Sequence, residues 1–206
     1  MYESGQPLKI DEVDVLPPGP RECLVKIEST SVCASDFNGW RDESTPTPCI
    51  LGHEGAGTIV EVGELVSAVA VGDQVCLSWL PSCGHCRFCA RGQRNQCSTV
   101  IPPMFNGTLF DEAVRFRKNE KNVYHFSFLS TFSQYTVVPE ASCIKLKEEV
   151  SADIRALLGC GVATGYGAAT IAADITPDKN VLVLGLGMVG LSAIQGAMTK
   201  GAHRIV

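Results

Sequence analysis

NVLVLGLGMVG, residues Asn180–Gly190, holds two signals in one short stretch. Asn180–Gly185 holds a continuous apolar run of Val and Leu, the pattern of a strand buried on both faces of a parallel sheet. Gly185, Gly187 and Gly190 then give G-x-G-x-x-G. Such a triplet gains meaning from a strand before it and a helix after it. Both are expected, because Met188–Lys200 places Leu191, Ile194 and Met198 on one helical face. Gly201 suits the C-terminal cap of that helix, and His203–Val206 starts another strand. In a dinucleotide-binding turn the first glycine permits the bend and the second lets backbone approach a pyrophosphate. The third lets helix and strand pack closely, and the helix N-terminus faces the phosphates. A structural turn in another α/β protein is the competing reading. The acidic residue that would hold an adenosine ribose is expected roughly 20 residues on, past Val206.

Upstream the grammar changes. Ser151 followed by ADIRALL reads as a capped short helix, and Val162–Ala173 as an Ala/Gly-rich helix. Before residue 150 the chain is β-rich. Glu22–Ser29 (ECLVKIES) alternates apolar and polar residues. Glu54–Gly63, Val71–Leu80 and Phe132–Val138 are further strand candidates, bounded by turns or by Pro139. Pro81–Gln96 is a Cys/Gly/Arg-rich loop without period. Phe105–Lys121 reads as a polar, irregular surface excursion.

A length of 206 residues corresponds to about 1.4 domains. Hydrophobic residues make up 45% and charged residues 19%, which describes a globular chain. With 17 Lys+Arg against 22 Asp+Glu the net charge is −5. That balance argues against nucleic-acid and anionic-membrane partners, which want a basic surface. No apolar run approaches the roughly 18 residues of a membrane span. The N-terminus lacks a basic and apolar leader pattern, so a cytoplasmic location is expected. Asn106-Gly107-Thr108 then matches a glycosylation sequon incidentally. Ten cysteines are a surplus for such a chain, and in a reducing compartment they read as metal ligands or reactive thiols.

Cys83, Cys86, Cys89 and Cys97 give C-x2-C-x2-C-x7-C. Four thiolates on one irregular loop can close a tetrahedral zinc site with no open position, and the metal would supply the loop's order. Disulfides and an iron–sulfur cluster are the alternatives; the known ferredoxin run continues C-x3-C-P, which this loop does not. His85 and Arg87 inside the loop read as solvated. Cys33, His53 and Cys160 are dispersed, yet together they offer two sulfurs and one nitrogen with a fourth position open. That is a catalytic zinc pattern. Asp36 is placed to orient the imidazole, and Glu54 to approach the metal from behind. Cys23, Cys49, Cys76 and Cys143 read as core or surface thiols.

The ordered set C-x-S-D, GHE, the four-Cys loop, TFSQYTVV, GCG-x-x-TGYGAA and GLGMVGLS resembles the zinc-dependent medium-chain alcohol dehydrogenases over nearly the whole chain. The loop layout is most similar to the class III and aryl-alcohol branches. The resemblance implies a β-rich GroES-like catalytic domain over 1–160 and the start of an α/β Rossmann-type NAD-binding domain over 161–206. It implies two zinc ions per chain, catalytic at Cys33, His53 and Cys160 and structural at Cys83, Cys86, Cys89 and Cys97. Two Cys and one His form the catalytic set known for that family. It further implies a proton-relay hydroxyl at Ser35 and pocket aromatics at Trp79 and Phe126. Thr164 and Val189 would lie beside a nicotinamide, and Gly185, Gly187 and Gly190 under its pyrophosphate. Asn38 and Ala34 depart from the family, standing where many relatives have a relay His and some have a cation. The implied reaction is hydride transfer from an alcohol to NAD or NADP, NAD being favoured, giving aldehyde or ketone. Primary alcohols, aryl alcohols and glutathione adducts all fit. A homo-oligomer is implied for the full-length form. The alternatives are a truncated, non-catalytic zinc-binding fragment that binds NAD poorly, and an iron–sulfur or zinc-ribbon interaction module.

Overall fold

The computed structural model describes residues 1–147 and 149–206. The chain divides into two compact units, Met1–Ala156 and Leu157–Val206. The first runs β1 (Asp14–Val15), β2 (Glu22–Ser31), α1 (Ala34–Arg41), β3 (Cys49–Ile50), β4 (Glu54–Val62) and β5 (Gln74–Leu77). It continues α2 (Ile101–Asn106), β6 (Phe116–Lys118), β7 (Lys121–His125), β8 (Tyr135–Pro139), β9 (Cys143–Lys145) and α3 (Ala152–Leu157).

An antiparallel five-stranded sheet, in the order β8-β2-β4-β5-β9, is the main layer. The alternation of β2 turns Cys23 and Val25 fully into the core and leaves Lys26 outside. Its register with β4 shifts between Leu24 and Val25 and again between Ile27 and Ser29, and such irregularities bend a strand. Val25, Ile59, Val75, Leu77, Leu129 and Val137 fill the core on this sheet. Burial also pushes the Cys49 thiol up to about 12 and the Cys76 thiol up to about 11, so both are inert core residues.

A second sheet, β1-β6-β7-β3, corrects the expectation for Phe105–Lys121. That segment carries β6, with Val114 and Phe116 buried. Arg115 between them grips the Glu22 carboxylate through Nε at 2.7 Å and Nη2 at 3.0 Å. Only three residues pair as β6, and charged neighbours flank them, so no period shows in the sequence. The candidate strand over Val71–Leu80 is confined to β5, and that over Phe132–Val138 moves to β8.

The second unit holds a π-helical turn (Leu158–Val162), α4 (Ala163–Gly167), another π turn (Ala168–Ala172), β10 (Asn180–Val181), α5 (Met188–Thr199) and β11 (Arg204–Ile205). β10 and β11 pair in parallel, as the opening of a βαβ unit should. The doubly buried strand expected over Asn180–Gly185 is not found. Leu182, Leu184 and Leu186 are 67%, 87% and 70% exposed. Among the described residues β10 has one ladder partner, and one neighbour cannot cover both faces. The helix α5 forms as expected, but its buried face is Ser192, Gly196 and Ala197 rather than Leu191 and Met198. Small residues win because the backbones nearly touch. A Cβ on Gly165 would lie 2.1 Å from the Val189 carbonyl oxygen. The helix ends at Gly201, φ +73°, where the Ala202 N–H reaches the Ala197 carbonyl at 3.0 Å.

The helical run Ala152–Ala172 is long and apolar enough, by length and composition, to cross a membrane. Its Arg155 is buried against Glu28 at 2.9 Å, which favours a helix seated on protein.

His125 gives the first unit a pH dependence. Its ring is buried and packs 4.8 Å from the Phe116 ring. Nε2 accepts the Arg115 N–H at 3.1 Å, while Nδ1 has no partner among the described residues. Burial, with the Arg115 cation adding to it, pushes the imidazole down to about 3. The unfolded chain takes up this proton near pH 6.5 and the folded chain does not. The contribution is therefore fully present above pH 6.5 and is lost as pH falls toward 3. Going from pH 7 to pH 5 should cost about 2 kcal/mol of stability, read from urea midpoints. The variant His125→Asn keeps an acceptor without titrating and should flatten that slope; equal slopes would assign the effect elsewhere.

Candidate functional site

The loop after β5 brings Cys83, Cys86, Cys89 and Cys97 together, their sulfurs all within 4.8 Å of one another. Cys83 Sγ lies 4.0 Å from Cys89 Sγ, and Cys86 Sγ 3.9 Å from Cys97 Sγ. A disulfide needs about 2.05 Å. A tetrahedron of thiolates around zinc, with bonds of about 2.3 Å, needs sulfurs about 3.8 Å apart. The donor set therefore fits a closed metal site. Donors converge on it: the Cys86 N–H reaches Cys83 Sγ at 3.3 Å and the Thr99 hydroxyl reaches the same sulfur at 3.3 Å. Backbone hydrogen bonding at Cys89, outweighing desolvation, lowers the Cys86 thiol to about 5. Desolvation raises Cys89 to about 11, and hydrogen bonds with neighbouring Cys86, Cys97 and Cys83 raise it further. Four negative sulfurs resist being together without a cation, and a divalent ion removes that conflict.

The second constellation forms where β2, α1 and β4 meet. Asp36, in the first turn of α1, is buried. Its carboxylate accepts the Cys33 N–H at 2.9 Å and the Gly52 N–H at 3.2 Å, and it meets His53 Nδ1 at 2.7 Å. An imidazole that donates from Nδ1 to a carboxylate keeps Nε2 as a lone-pair ligand. Gly52, at φ +97°, makes the turn before His53; a Cβ there would meet the Phe132 backbone nitrogen at 2.6 Å. Cys33, His53 and Glu54 each offer a ligand atom within 4.8 Å of the others. The Glu54 carboxylate is buried and accepts the Ser31 hydroxyl, from the residue opposite it in the β2–β4 ladder. Ser31, Gly52 and Thr99 were not singled out from the sequence. The signal for Ser31 exists only once the strand register is known.

The other sequence-read positions divide between the two units. Phe126 stands edge-on to His53, with centroids 5.9 Å apart, and closes against Gly39. Trp79 is half-buried on the main core. Ser35 is exposed at the start of α1. In the second unit Cys160 lies half-buried in the first π turn, a helix defect that recurs at functional sites. Thr164 and Val189 are exposed on α4 and α5. Gly185 takes φ +104°, and a Cβ on Gly190 would sit 1.9 Å from the Gly185 carbonyl. Gly187 caps α5, and a Cβ there would meet nothing within 4 Å. Turn, open backbone and close packing are thus divided among the three glycines.

Residues 19–148 match the alcohol dehydrogenase GroES-like domain family. The chain belongs to that family. It is 44% identical to S-(hydroxymethyl)glutathione dehydrogenase of Komagataella pastoris and 43% identical to alcohol dehydrogenase class-3 of Dictyostelium discoideum. Each match covers all of this chain and 55% of the relative. The chain thus spans about half the length of these curated relatives. Among solved structures it is similar to an alcohol dehydrogenase zinc-binding domain protein from Burkholderia ambifaria (TM-score 0.91, 32% identity, 99% of this chain and 56% of that one). It is also similar to benzyl alcohol dehydrogenase from Acinetobacter calcoaceticus (TM-score 0.88, 31% identity, 99% and 55%). A third is acetophenone reductase from Geotrichum candidum in complex with NAD (TM-score 0.76, 31% identity, 98% and 55%). A class-3 alcohol dehydrogenase and a benzyl alcohol dehydrogenase are thus among the proteins it is similar to.

If the four-Cys loop owes its order to metal, Cys89→Ala should lower Tm by about 5–10 °C in the zinc-loaded chain, on the order of a few kcal/mol. Chelating the wild-type metal should erase the difference between the two proteins. An unchanged Tm would remove the structural role.

Proposed function

We propose that this chain carries the zinc-binding catalytic domain, over 1–160, and the opening of the dinucleotide-binding domain, over 161–206, of an alcohol dehydrogenase. The reaction is hydride transfer from a small alcohol to NAD, giving aldehyde or ketone. The observation that carries this reading is the buried Asp36–His53 contact at 2.7 Å, with Cys33 and Glu54 beside it. It prepares an imidazole nitrogen and a thiol for a metal at the end of a sheet.

On this reading Cys33, His53 and Cys160 hold the catalytic zinc, and Cys83, Cys86, Cys89 and Cys97 the structural one. Zinc, when bound, polarises an alcohol oxygen and acidifies its hydroxyl. Asp36 fixes the His53 tautomer and ring orientation. Glu54, held by Ser31, adds a buried negative charge behind the ligands. Ser35, on the exposed first turn of α1, accepts the alcohol proton and passes it toward solvent. Phe126 and Trp79 supply apolar walls for the substrate. Gly187 offers open backbone to a pyrophosphate at the N-terminus of α5, and Thr164 and Val189 flank the nicotinamide. NAD is favoured over NADP, and the NAD complex of the acetophenone reductase supports that choice. The relatives' names point to S-(hydroxymethyl)glutathione and benzyl alcohol as substrate classes. Among the described residues no cysteine is in a disulfide, which suits the reducing, cytoplasmic setting of this reading. A homo-oligomer is the full-length form on the same reading.

Metal analysis tests the assignment. The chain should take up two zinc equivalents, and Cys160→Ser should take up one while the four-Cys loop stays loaded. A Cys160→Ser protein that retains two equivalents at wild-type affinity would be incompatible with the ligand set.

A further inference from the structure

Thr99 is an exposed side chain tied to one of the loop's sulfurs: its hydroxyl donates to Cys83 Sγ at 3.3 Å. Cys83 opens the four-Cys loop, and Thr99 follows the last of its cysteines by two residues. The bond therefore joins the two ends of the loop. A second bond runs between the same ends, from the Cys83 N–H to Cys97 Sγ at 3.4 Å. The ends are not held equally. Cys97 and Val100, on either side of Thr99, are 3% and 0% exposed within the main core. Cys83 is partly buried and packs against the edge of that core. Thr99 thus extends the anchored end of the loop to the less anchored one.

Charge gives the bond a second task. A loaded site sets four thiolates against one divalent cation, which leaves net negative charge on the sulfurs. Between Asp73 and Asp111 the sequence has no Asp or Glu, so the sulfurs carry the negative charge of this segment. Its cations, Arg87, Arg91 and Arg94, are exposed, where water and salt screen them. A hydroxyl in contact with a sulfur draws charge from it directly, and a hydrogen bond to an ionised acceptor is stronger than a neutral one. The Cys86 N–H acts on Cys83 Sγ in the same way at 3.3 Å, but that donor is backbone and is nearly independent of residue type. The Thr99 bond exists only because of the side chain, so it is the part of this arrangement that the residue type sets.

We propose that Thr99 is a positioning residue for the four-Cys metal: its hydroxyl holds Cys83 Sγ to the anchored end of the loop and draws charge from that sulfur when metal is bound. This rests on the metal assignment of the four-Cys loop above.

The test is cobalt titration of the whole chain, comparing wild type with Thr99→Val and Thr99→Ser. Val keeps the branched shape without the donor, and Ser keeps the donor without the branch. The readouts are competition with a chromophoric chelator, the energy of the sulfur-to-cobalt charge-transfer band and the Tm of the metal-free chain. Thr99→Val should bind the loop's cobalt about ten-fold more weakly, the low end for groups that orient ligands. Its charge-transfer band should move to lower energy, because a sulfur without the hydroxyl gives up an electron more readily. Thr99→Ser should match wild type in both. The metal-free Tm should be the same in all three proteins, since the side chain is exposed. A Thr99→Val protein with wild-type affinity or a wild-type band overturns the proposal and leaves the four-Cys metal standing. So does a Thr99→Ser protein as weak as Thr99→Val, or a metal-free Tm that falls in Thr99→Val. A wild-type chain whose cobalt spectrum lacks a four-thiolate site overturns both.

Discussion

A single carboxylate organises the first unit. Asp36 collects three N–H groups, from Cys33, Gly52 and His53, which belong to the end of a strand, a turn and the start of another strand. A buried carboxylate is costly unless its lone pairs are used, and here the partners are the residues on which the chemistry depends. The same bonds that make Asp36 tolerable hold Cys33 at the N-terminus of α1 and turn His53 inward. Fold and site are therefore not separable at this point. A mistake in the β2–β4 register would move Ser31 from Glu54 and unseat the arrangement.

The four-Cys loop follows a different logic. Two short 3-10 turns are its regular structure, and much of its surface is exposed. Cys89 and Cys97 nonetheless insert into the main core, where Val100 and Leu109 are fully buried. Electrostatics and packing here depend on each other. Neutralising the sulfurs allows them to sit where apolar neighbours need a plug.

Much of this was legible in the sequence because spacing encodes local geometry. Four cysteines within one short loop can meet whatever the rest of the chain does, and G-x-G-x-x-G describes one turn. The alternation of β2 and the helical face of α5 gave the right elements. What was not legible depends on partners distant in sequence. Nothing local marks β6 as a strand; it exists because β1 and β7 flank it. The apolar run from Asn180 was read as buried, since its composition is that of a central strand. The backbone stays paired as far as Val183, whose N–H reaches the Val206 carbonyl at 2.8 Å, but burial is supplied by neighbours on both faces and a single ladder partner cannot give it. The α5 contact was hidden for a related reason. Periodicity favoured the large residues, whereas the approach of Gly165 to the Val189 backbone admits only small ones.

The exposed leucines after β10 have a colloidal consequence. Leu182, Leu184 and Leu186 lie next to the loop glycines, in a unit where only a few side chains form a core. In dilute buffer the net charge of −5 keeps copies of this chain apart. Added salt screens that repulsion within a few ångströms while leaving the apolar attraction intact or strengthened. An apolar contact made through Leu182, Leu184 and Leu186 therefore strengthens with ionic strength, the opposite of what a contact built on ion pairs would do.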